Sequence, residues 1–315
     1  MQDGADPIGL YAASTDLAAA YLLWQLTIGD LWPLDFPRFR QILSGPAAHH
    51  FVVRARGQLV GLAACTLSQD RRTGHLLALL VAPTWQNKGL GRALHEAVLD
   101  YLHAANAQRV QLGGLVPRFW CGLPTNLPAA HAFFSRLGWT FEQPVYDLVQ
   151  DLRSYTTAPA IYRRIAGQGI TLAVGHARDA PEILAFEQRE FPDWLPHYQR
   201  CAHLGDYQDI LCARQQDGRI MGTLLMYTPQ SQSSRTDVVW RILLGYDAGA
   251  LGAVGVSPAA QRQGIGLALV ARASELLKAR GVRNGYIDWV QLTDFYAQVG
   301  YSTWRAFLPS MRELS

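Results

Sequence analysis

The pattern of apolar and polar residues occurs twice along the chain. In each half, two β-rich runs are separated by a short turn that contains a glycine, Gly57 or Gly218, which predicts a β-hairpin. The runs that form the hairpins are 50–56 and 59–67 in the first half, and 210–214 and 220–227 in the second. A third apolar run follows each hairpin, at 76–81 and at 251–256, and predicts the next strand of each sheet.

The segments after the third strand also match between the halves. Apolar residues at three- and four-residue steps predict a helix at 90–103 and another at 265–280. The matching later elements are strands at 109–115 and 285–290, short helices at 129–137 and 292–299, and a final strand in each half. The short helices end at a glycine followed by an aromatic residue, Gly138-Trp139 and Gly300-Tyr301.

The length of 315 residues fits two domains, since domains contain roughly 100–200 residues. We predict domains at 1–155 and 156–315, with a boundary in the turn-like segment 154–162. The second domain restarts with a strand at 170–174 and a helix from about Ala180. The first half carries about 13 extra residues within 114–128, where three prolines indicate a structured loop, Pro117, Pro124 and Pro128.

Composition excludes several classes of protein. The formal charge of +3 is too small, and the basic residues are too scattered, for a nucleic-acid-binding surface. The four cysteines form no CxxC pair, and neither they nor the histidines have metal-ligand spacing, so we predict no metal site. The N-terminal residues do not resemble a signal peptide, and no apolar run reaches about 18 residues, which predicts a cytoplasmic protein without a membrane span.

One motif with the same internal spacing follows the third strand of each half. The copies are Val81-x-Pro83-x-x-Gln86-x-x-Gly89-x-Gly91 and Val256-x-Pro258-x-x-Gln261-x-x-Gly264-x-Gly266. A helix that begins here presents unpaired backbone N–H groups and a partial positive charge, and glycines allow an anion to approach the backbone closely. The duplicated motif therefore predicts two sites for a phosphate or pyrophosphate, with the glutamines and the amides after them beside the anion.

Two other phosphate-binding motifs fit less well. A Walker loop requires Gly-Lys-Ser/Thr, which is absent. A dinucleotide fingerprint requires a small third residue, where this chain has Leu94 and Leu269. Asp288 lies 22 residues beyond Gly266, where a ribose-binding acid would be expected, but a hairpin precedes each motif instead of a βαβ unit.

The motif and the order of elements resemble those of the GCN5-related N-acetyltransferase (GNAT) superfamily. The resemblance covers nearly the whole chain, once per half, and implies an α/β fold with a mixed sheet in each of two tandem GNAT acyl-CoA N-acyltransferase domains, similar in architecture to mycothiol synthase. It implies acetyl-CoA as the cofactor and predicts contacts with two groups of residues. These are Val81, Gln86, Asn87, Lys88, Gly89, Leu90, Gly91 and Arg92, and Val256, Gln261, Arg262, Gln263, Gly264, Ile265, Gly266 and Leu267.

The resemblance also distinguishes the halves. A tyrosine on the later helix usually protonates the departing thiolate in this family, and Tyr296 occupies that position, whereas the first half has Phe134. We therefore predict that the C-terminal domain is catalytic. The N-terminal domain is either catalytically degenerate, binding CoA weakly or shaping the acceptor site, or it uses a different acid. Asp288 is the second candidate catalytic residue, with two open roles: holding a water or the acceptor amine, or capping the helix that follows.

The acceptor is expected to bind near the first helices of the second domain. That region contains acids and aromatics that would suit a cationic amine, but an amphipathic helix followed by a loop with scattered surface charge explains them somewhat better. The residues are Glu187, Glu190, Phe191, Asp193, Trp194, His197 and Tyr198. The leading hypothesis is acetylation of a small-molecule primary amine by a monomer; a non-catalytic acyl-CoA-binding module and a protein N-acetyltransferase are the alternatives.

Overall fold

The computed structural model describes residues 4–45, 47–114, 118–232, 234–235 and 238–314. Its strands are β1 Gly9–Leu10, β2 His49–Ala55, β3 Gln58–Leu67, β4 Thr73–Val81, β5 Arg109–Leu112, β6 Leu123–Pro124, β7 Val145–Asp151, β8 Thr171–Val174, β9 Ile210–Arg214, β10 Ile220–Tyr227, β11 Ala248–Val256, β12 Asn284–Val290, β13 Ser302–Leu308 and β14 Met311–Glu313. Its helices are α1 Ala13–Ile28, α2 Phe36–Leu43, α3 Leu90–Ala104, α4 Pro128–Arg136, α5 Pro159–Ala166, α6 Ala180–Glu190, α7 Leu195–His203, α8 Arg241–Leu244, α9 Ile265–Ala279 and α10 Thr293–Ala297.

The chain forms two compact units that exchange their last strands. Unit one comprises Met1–Val145 and Arg305–Ser315, and unit two comprises Tyr146–Trp304. These units differ from the predicted halves 1–155 and 156–315, because β7 lies within the first half along the chain but pairs with β12 of unit two. The C-terminal β14 pairs with β5 of unit one. A repeat in the sequence marks chain order, whereas backbone hydrogen bonds decide which strands form one sheet.

In unit one the strands follow the order β1-β2-β3-β4-β5-β14. All neighbours are antiparallel except β4 and β5, which run parallel from Thr73↔Arg109 to Leu76↔Leu112. Within the described residues this pairing stops at Leu76, while β4 continues to Val81. The two strands therefore part halfway along β4, which opens a cleft at the end that leads into the glycine motif. The predicted strand 109–115 is shorter than expected, and Leu115 lies outside the described residues.

The second sheet has the order β6-β13-β7-β12-β11-β10-β9-β8, and its strands in unit two repeat this arrangement. Strands β11 and β12 pair in parallel from Ala248↔Asn284 to Leu251↔Ile287, and β11 then continues alone on that side to Val256. The mixed sheets and the helices between their strands confirm the predicted α/β class. Helix α9 packs on this sheet through residues at four-residue steps that are at most 1% exposed, namely Ile265, Leu269, Ala273 and Leu277.

Two connecting segments are more ordered than the sequence indicated. The predicted boundary 154–162 was expected to be a turn, but α5 begins at Pro159 and buries Ile161 and Ile165. Proline is favourable in the first helical turn, and two isoleucines four residues apart provide one short apolar face. In the insert, the described residues 118–128 contain β6 and bury Trp120 against Trp24; Pro117 lies outside the described residues.

The described part of the chain contains no helix long and apolar enough to cross a membrane. It also contains no group of three or more His, Cys, Asp or Glu side chains that could hold a metal ion. The four cysteines are free and buried.

Candidate acyl-CoA and acceptor site

Each glycine motif forms a short loop between the end of a strand and the start of a long helix. Helix α3 follows the first loop and α9 follows the second, and both contain 15 residues. The side-chain amide of Gln86 donates a hydrogen bond to the carbonyl of Val81 at 3.0 Å, and Gln261 donates to Val256 at 3.2 Å. The glutamine side chains therefore brace the loop, and the loop amides are the groups left to face an anion.

The backbone of both loops has the conformation that an anion site requires. Asn87 and Gly89 have positive φ angles of 58° and 83°, and Arg262 and Gly264 have 64° and 92°. Backbones that visit the left-handed region at such points turn successive N–H groups toward one concave side. The glycines at the helix N-caps make no side-chain capping bond, so the first helical N–H groups remain available to a pyrophosphate.

The second glycine of each motif provides close packing beside this loop. A Cβ atom on Gly91 would lie 3.3 Å from the Phe133 ring, and one on Gly266 would lie 3.3 Å from the Phe295 ring. The predicted cofactor residues 81 and 86–92, and 256 and 261–267, thus lie on one strand–loop–helix segment per unit. Ile265 is buried in the core and presents only its backbone to the loop.

In unit two a helix outside the repeat packs against the loop. The Arg164 side chain of α5 lies over Gly264, where an added Cβ would be 2.7 Å from its Cδ, and its Nη2 donates to the carbonyl of Arg262 at 3.0 Å. In unit one a Cβ on Gly89 would have nothing within 4 Å among the described residues. Arg164 was not identified from the sequence, because it lies about 100 positions before the motif, just after the segment 154–162 that was expected to be a turn.

A cavity of about 500 Å³ lies in unit two between this loop and the flanking helices. The loop and the end of β11 form one side, from Val254 to Leu267. Phe191 and Trp194, whose rings stack at 5.0 Å, form part of another side, and Phe295 and Tyr296 of α10 complete it. The cavity therefore joins the predicted cofactor loop, the predicted acid and two of the predicted acceptor-region aromatics.

The strands that border the cleft carry β-bulges at different positions. In unit two the pairing of β10 with β11 shifts between Thr223 and Leu225, and Ala253 has a positive φ of 48°. In unit one the shift falls between Ala64 and Cys65, opposite Leu77. A bulge redirects a strand and interrupts its hydrogen bonding. Strand β11 is thus redirected closer to its glycine motif than β4 is.

Tyr296 has the environment of a group that keeps its proton. Burial, followed by the charge of Asp288, raises its pKa to about 12. The corresponding Phe134 of unit one is buried beside His95 and Trp139 and has no proton to give.

Asp288 lies where β12 turns away from regular pairing. The register of β12 with β7 shifts between Ile287 and Val290, and Trp289 has a positive φ of 55°. The buried Asp147 accepts a hydrogen bond from the Trp289 amide at 3.2 Å, which fixes this irregular segment. Asp288 raises the pKa of both Tyr296 and Tyr227, so its carboxyl group lies between two phenols of unit two.

The acceptor-region helix differs from the simplest interpretation of its sequence. A charged residue on an amphipathic helix was expected at the surface, but Glu187 of α6 is completely buried. Its Oε1 accepts a hydrogen bond from the Thr223 hydroxyl at 2.5 Å. Tyr198 of α7 is also completely buried and donates to the carbonyl of Ala253, at the bulge, at 2.9 Å.

Comparison with known proteins agrees with this geometry. The model of the acetyltransferase (GNAT) family matches residues 17–139 and again residues 177–301. The chain belongs to the GNAT family. It contains two tandem GNAT domains, of a family that transfers acyl groups from acyl-CoA to amines.

Solved structures with the same tandem fold are similar over the whole chain. A region of a fungal multi-domain GH3 β-N-acetylglucosaminidase, described as a GCN5-related glucosamine N-acetyltransferase region, is 34% identical over 99% of this chain, with a TM-score of 0.93. This chain spans 38% of the length of that fungal protein. A GCN5-related N-acetyltransferase from Sphaerobacter thermophilus is 20% identical, with 100% and 97% of the two chains covered and a TM-score of 0.72. A tandem GNAT protein from the clavulanic acid biosynthesis pathway is 16% identical, with 99% of each chain covered and a TM-score of 0.66.

Proposed function

We propose that unit two transfers an acetyl group from acetyl-CoA to the primary amine of a small molecule, and that the acceptor is an amino sugar of the glucosamine class. The observation that carries the reaction is the cavity that joins the glycine loop to Tyr296. The acceptor class is supported by the 34% identity to the fungal region described as a glucosamine N-acetyltransferase. Phe191 and Trp194 in the cavity wall suit the apolar face of a sugar ring.

Acetyl-CoA supplies a thioester, which is reactive enough for direct attack by an amine. In this proposal the loop amides of 261–266 hold its pyrophosphate, with Arg164 as a nearby positive charge. Tyr296, whose raised pKa keeps it protonated, gives its proton to the departing thiolate. Asp288, close to Tyr296, pairs with the acceptor's ammonium group and orients it toward the cleft.

Unit one has a different role in this proposal. Its loop has the same left-handed conformations at Asn87 and Gly89, so it is able to bind a second acyl-CoA. Phe134 occupies the position of the acid and is packed into the core, so transfer in unit one lacks a proton donor for the thiolate. We therefore expect binding without turnover in unit one.

The test is release of free CoA thiol from acetyl-CoA in the presence of glucosamine. Glucose, which lacks the amine, is the matched negative substrate. Tyr296→Phe is expected to lower kcat about 100-fold, as is typical for loss of a general acid, while leaving the affinity for CoA unchanged. Tyr246→Phe is the control, because Tyr246 is an exposed tyrosine of the same unit.

Three results would argue against the proposal. Turnover of Tyr296→Phe that equals the wild-type rate across pH would remove Tyr296 as the acid. CoA binding without thiol release across a panel of amines would indicate the acyl-CoA-binding module. Transfer to peptide amines but not to glucosamine would indicate a protein N-acetyltransferase.

A further inference from the structure

Glu187 is a buried carboxyl group with an incomplete set of partners. It is completely buried, and one hydrogen bond from Thr223 reaches its Oε1. Its Oε2 has no hydrogen-bond partner within the described residues. No cation of the described part pairs with it. Burial of a carboxylate without a counter-charge is costly, so such a group is a candidate for function.

Glu187 lies directly behind the wall of the cavity in unit two. Its partner Thr223 is paired in the sheet with Gly255, which lines the cavity. Phe191, four residues after Glu187, packs its ring on Gly255, where an added Cβ would be 2.5 Å away. The carboxyl group is therefore separated from the cavity by a single layer of residues, next to the bulge of β11.

Among Glu187 and the side chains that surround it, Glu187 is the group that titrates near neutral pH. Desolvation raises its pKa to about 7, against the opposing effect of the Thr223 hydrogen bond. From α7 it faces Tyr198, and from β9 it faces Cys212; burial raises the pKa of both, so both stay neutral near pH 7. Strands β10 and β11 present Thr223 and the apolar bulge, which do not titrate.

Unit one has an apolar residue at the sheet position that corresponds to Thr223. Gly61 pairs with Val81 as Gly222 pairs with Val256, so Leu62 corresponds to Thr223. Leu62 is completely buried, and helix α1, which packs on β3, buries three apolar side chains and also Asp16, whose carboxylate is paired with Arg54. The sheet of unit one thus forms without a hydroxyl at this position, and the buried acid of α1 has a cation partner, which Glu187 lacks within the described residues.

We propose that Glu187 is the proton acceptor of unit two, which takes the proton that the acceptor's ammonium group must lose. This inference rests on the proposed function of unit two. The first proton moves from the ammonium nitrogen to Oε2 along a relay of water molecules beside the bulge of β11, the C–N bond forms and the C–S bond breaks, and the thiolate takes the Tyr296 proton. The nitrogen, still carrying one proton too many after the attack, gives it to the Tyr296 phenolate, and Glu187 returns the first proton to solvent. Transfer from ammonium to carboxylate leaves two neutral groups, which a water-poor site favours.

The test is the pH profile of kcat/KM for glucosamine acetylation by the full chain. In the wild-type protein we expect the rate to rise with pH and to level off above about pH 7. Glu187→Gln keeps the size of the side chain but accepts no proton, so we expect a loss of about 100-fold at pH 7. Its remaining rate should follow the ionisation of the amine itself and should move when a more basic amine is used.

A second variant tests the same group without removing it. Thr223→Val deletes the hydrogen bond that lowers the pKa of Glu187, so the midpoint of the wild-type profile should move to higher pH. A purely structural role predicts no such shift. Glu182→Gln is the matched control, because it removes an acid from the same helix at a partly exposed position paired with Arg214.

The possible outcomes separate this inference from the proposed function. Wild-type protein that releases no thiol with any amine would refute the proposed function and, with it, the role of Glu187. Active wild-type protein with an unchanged rate in Glu187→Gln, or with an unchanged midpoint in Thr223→Val, would refute the role of Glu187 alone. A uniform loss of rate in Glu187→Gln that keeps the wild-type midpoint would show that the residue acts only through structure.

Discussion

Replacement of Glu187 by glutamine should change how the stability of unit two depends on pH. In the folded state, burial raises the pKa of this carboxyl from 4.5 to about 7. The folded protein therefore binds the proton more tightly than the unfolded chain does. A group with a raised pKa contributes its stability fully below the unfolded pKa, and that contribution is lost as pH rises through the folded value.

The magnitude follows from the shift. A rise of roughly 2.5 units at about 1.36 kcal/mol per unit means that ionisation of Glu187 lowers the free energy of unfolding by about 3 kcal/mol between pH 4.5 and pH 8. The environment supports a large effect, since the side chain is fully buried and has only the Thr223 hydroxyl to replace its hydration. Glutamine has the same shape and no charge, so the variant should lack this loss.

The assay is urea unfolding of the wild-type protein and of Glu187→Gln at pH 4.5, 6 and 8. Hydrogen exchange of amides in β10 and α6 serves as the local probe, because a chain of two units need not unfold in one step. The difference in stability should favour the variant increasingly as pH rises, by about 3 kcal/mol over the range. Glu182→Gln should show no comparable trend. If the difference in unfolding free energy between the wild-type protein and Glu187→Gln stays constant with pH, the reasoning is refuted. Such a result would mean that Glu187 does not bind its proton more tightly in the folded state.

Two further predictions concern the glycine loops. Arg164→Gln should weaken the binding of CoA severalfold but leave the binding of pantetheine, which lacks the phosphates, unchanged. Arg163→Gln, on the same helix, is the control in the calorimetric titrations. Equal CoA affinities of the two variants would exclude a contact between Arg164 and the phosphates. Gly264→Ala should lower the CoA affinity of unit two, because φ is 92° there and an added Cβ would contact Arg164. Gly89→Ala in unit one introduces the backbone strain alone, since an added Cβ contacts nothing described there. The same loss of CoA affinity in both variants, measured by isothermal titration, would contradict the role of Arg164.

Much of the site was predictable because its information is local. The motif places valine, proline, glutamine and glycines at fixed spacing, and the loop conformation depends on exactly these neighbours, as the positive φ angles at Gly89 and Gly264 show. The predicted helix at 265–280 is present as α9 because its apolar face repeats every four residues. Tyr296 was identified from its distance to Gly300, which is also a local relation.

The remaining features depend on contacts between distant parts of the chain. The exchange of β7 into unit two follows from its pairing with β12, 133 positions later at Asp151 and Asn284, and no local pattern records it. The burial of Glu187 depends on Thr223 being opposite α6, so the sequence of the helix alone favoured a surface position. The segment 154–162 lacked periodicity because only Ile161 and Ile165 of the short α5 face the core.

The two units show which features the fold needs and which it does not. Both units have the glutamine that braces the loop, the left-handed residues in the loop and the two parallel strands that part beside it. These features therefore belong to the backbone arrangement that the two units share. At two interior positions unit two has a polar group where unit one has an apolar one, Thr223 against Leu62 and Tyr296 against Phe134. Polar groups below the surface reduce stability unless they are fully partnered, and Glu187 beside Thr223 is not. Unit one forms the same sheet without them, so their presence in unit two agrees with the movement of protons between the acceptor amine and the thiolate that we propose for that unit.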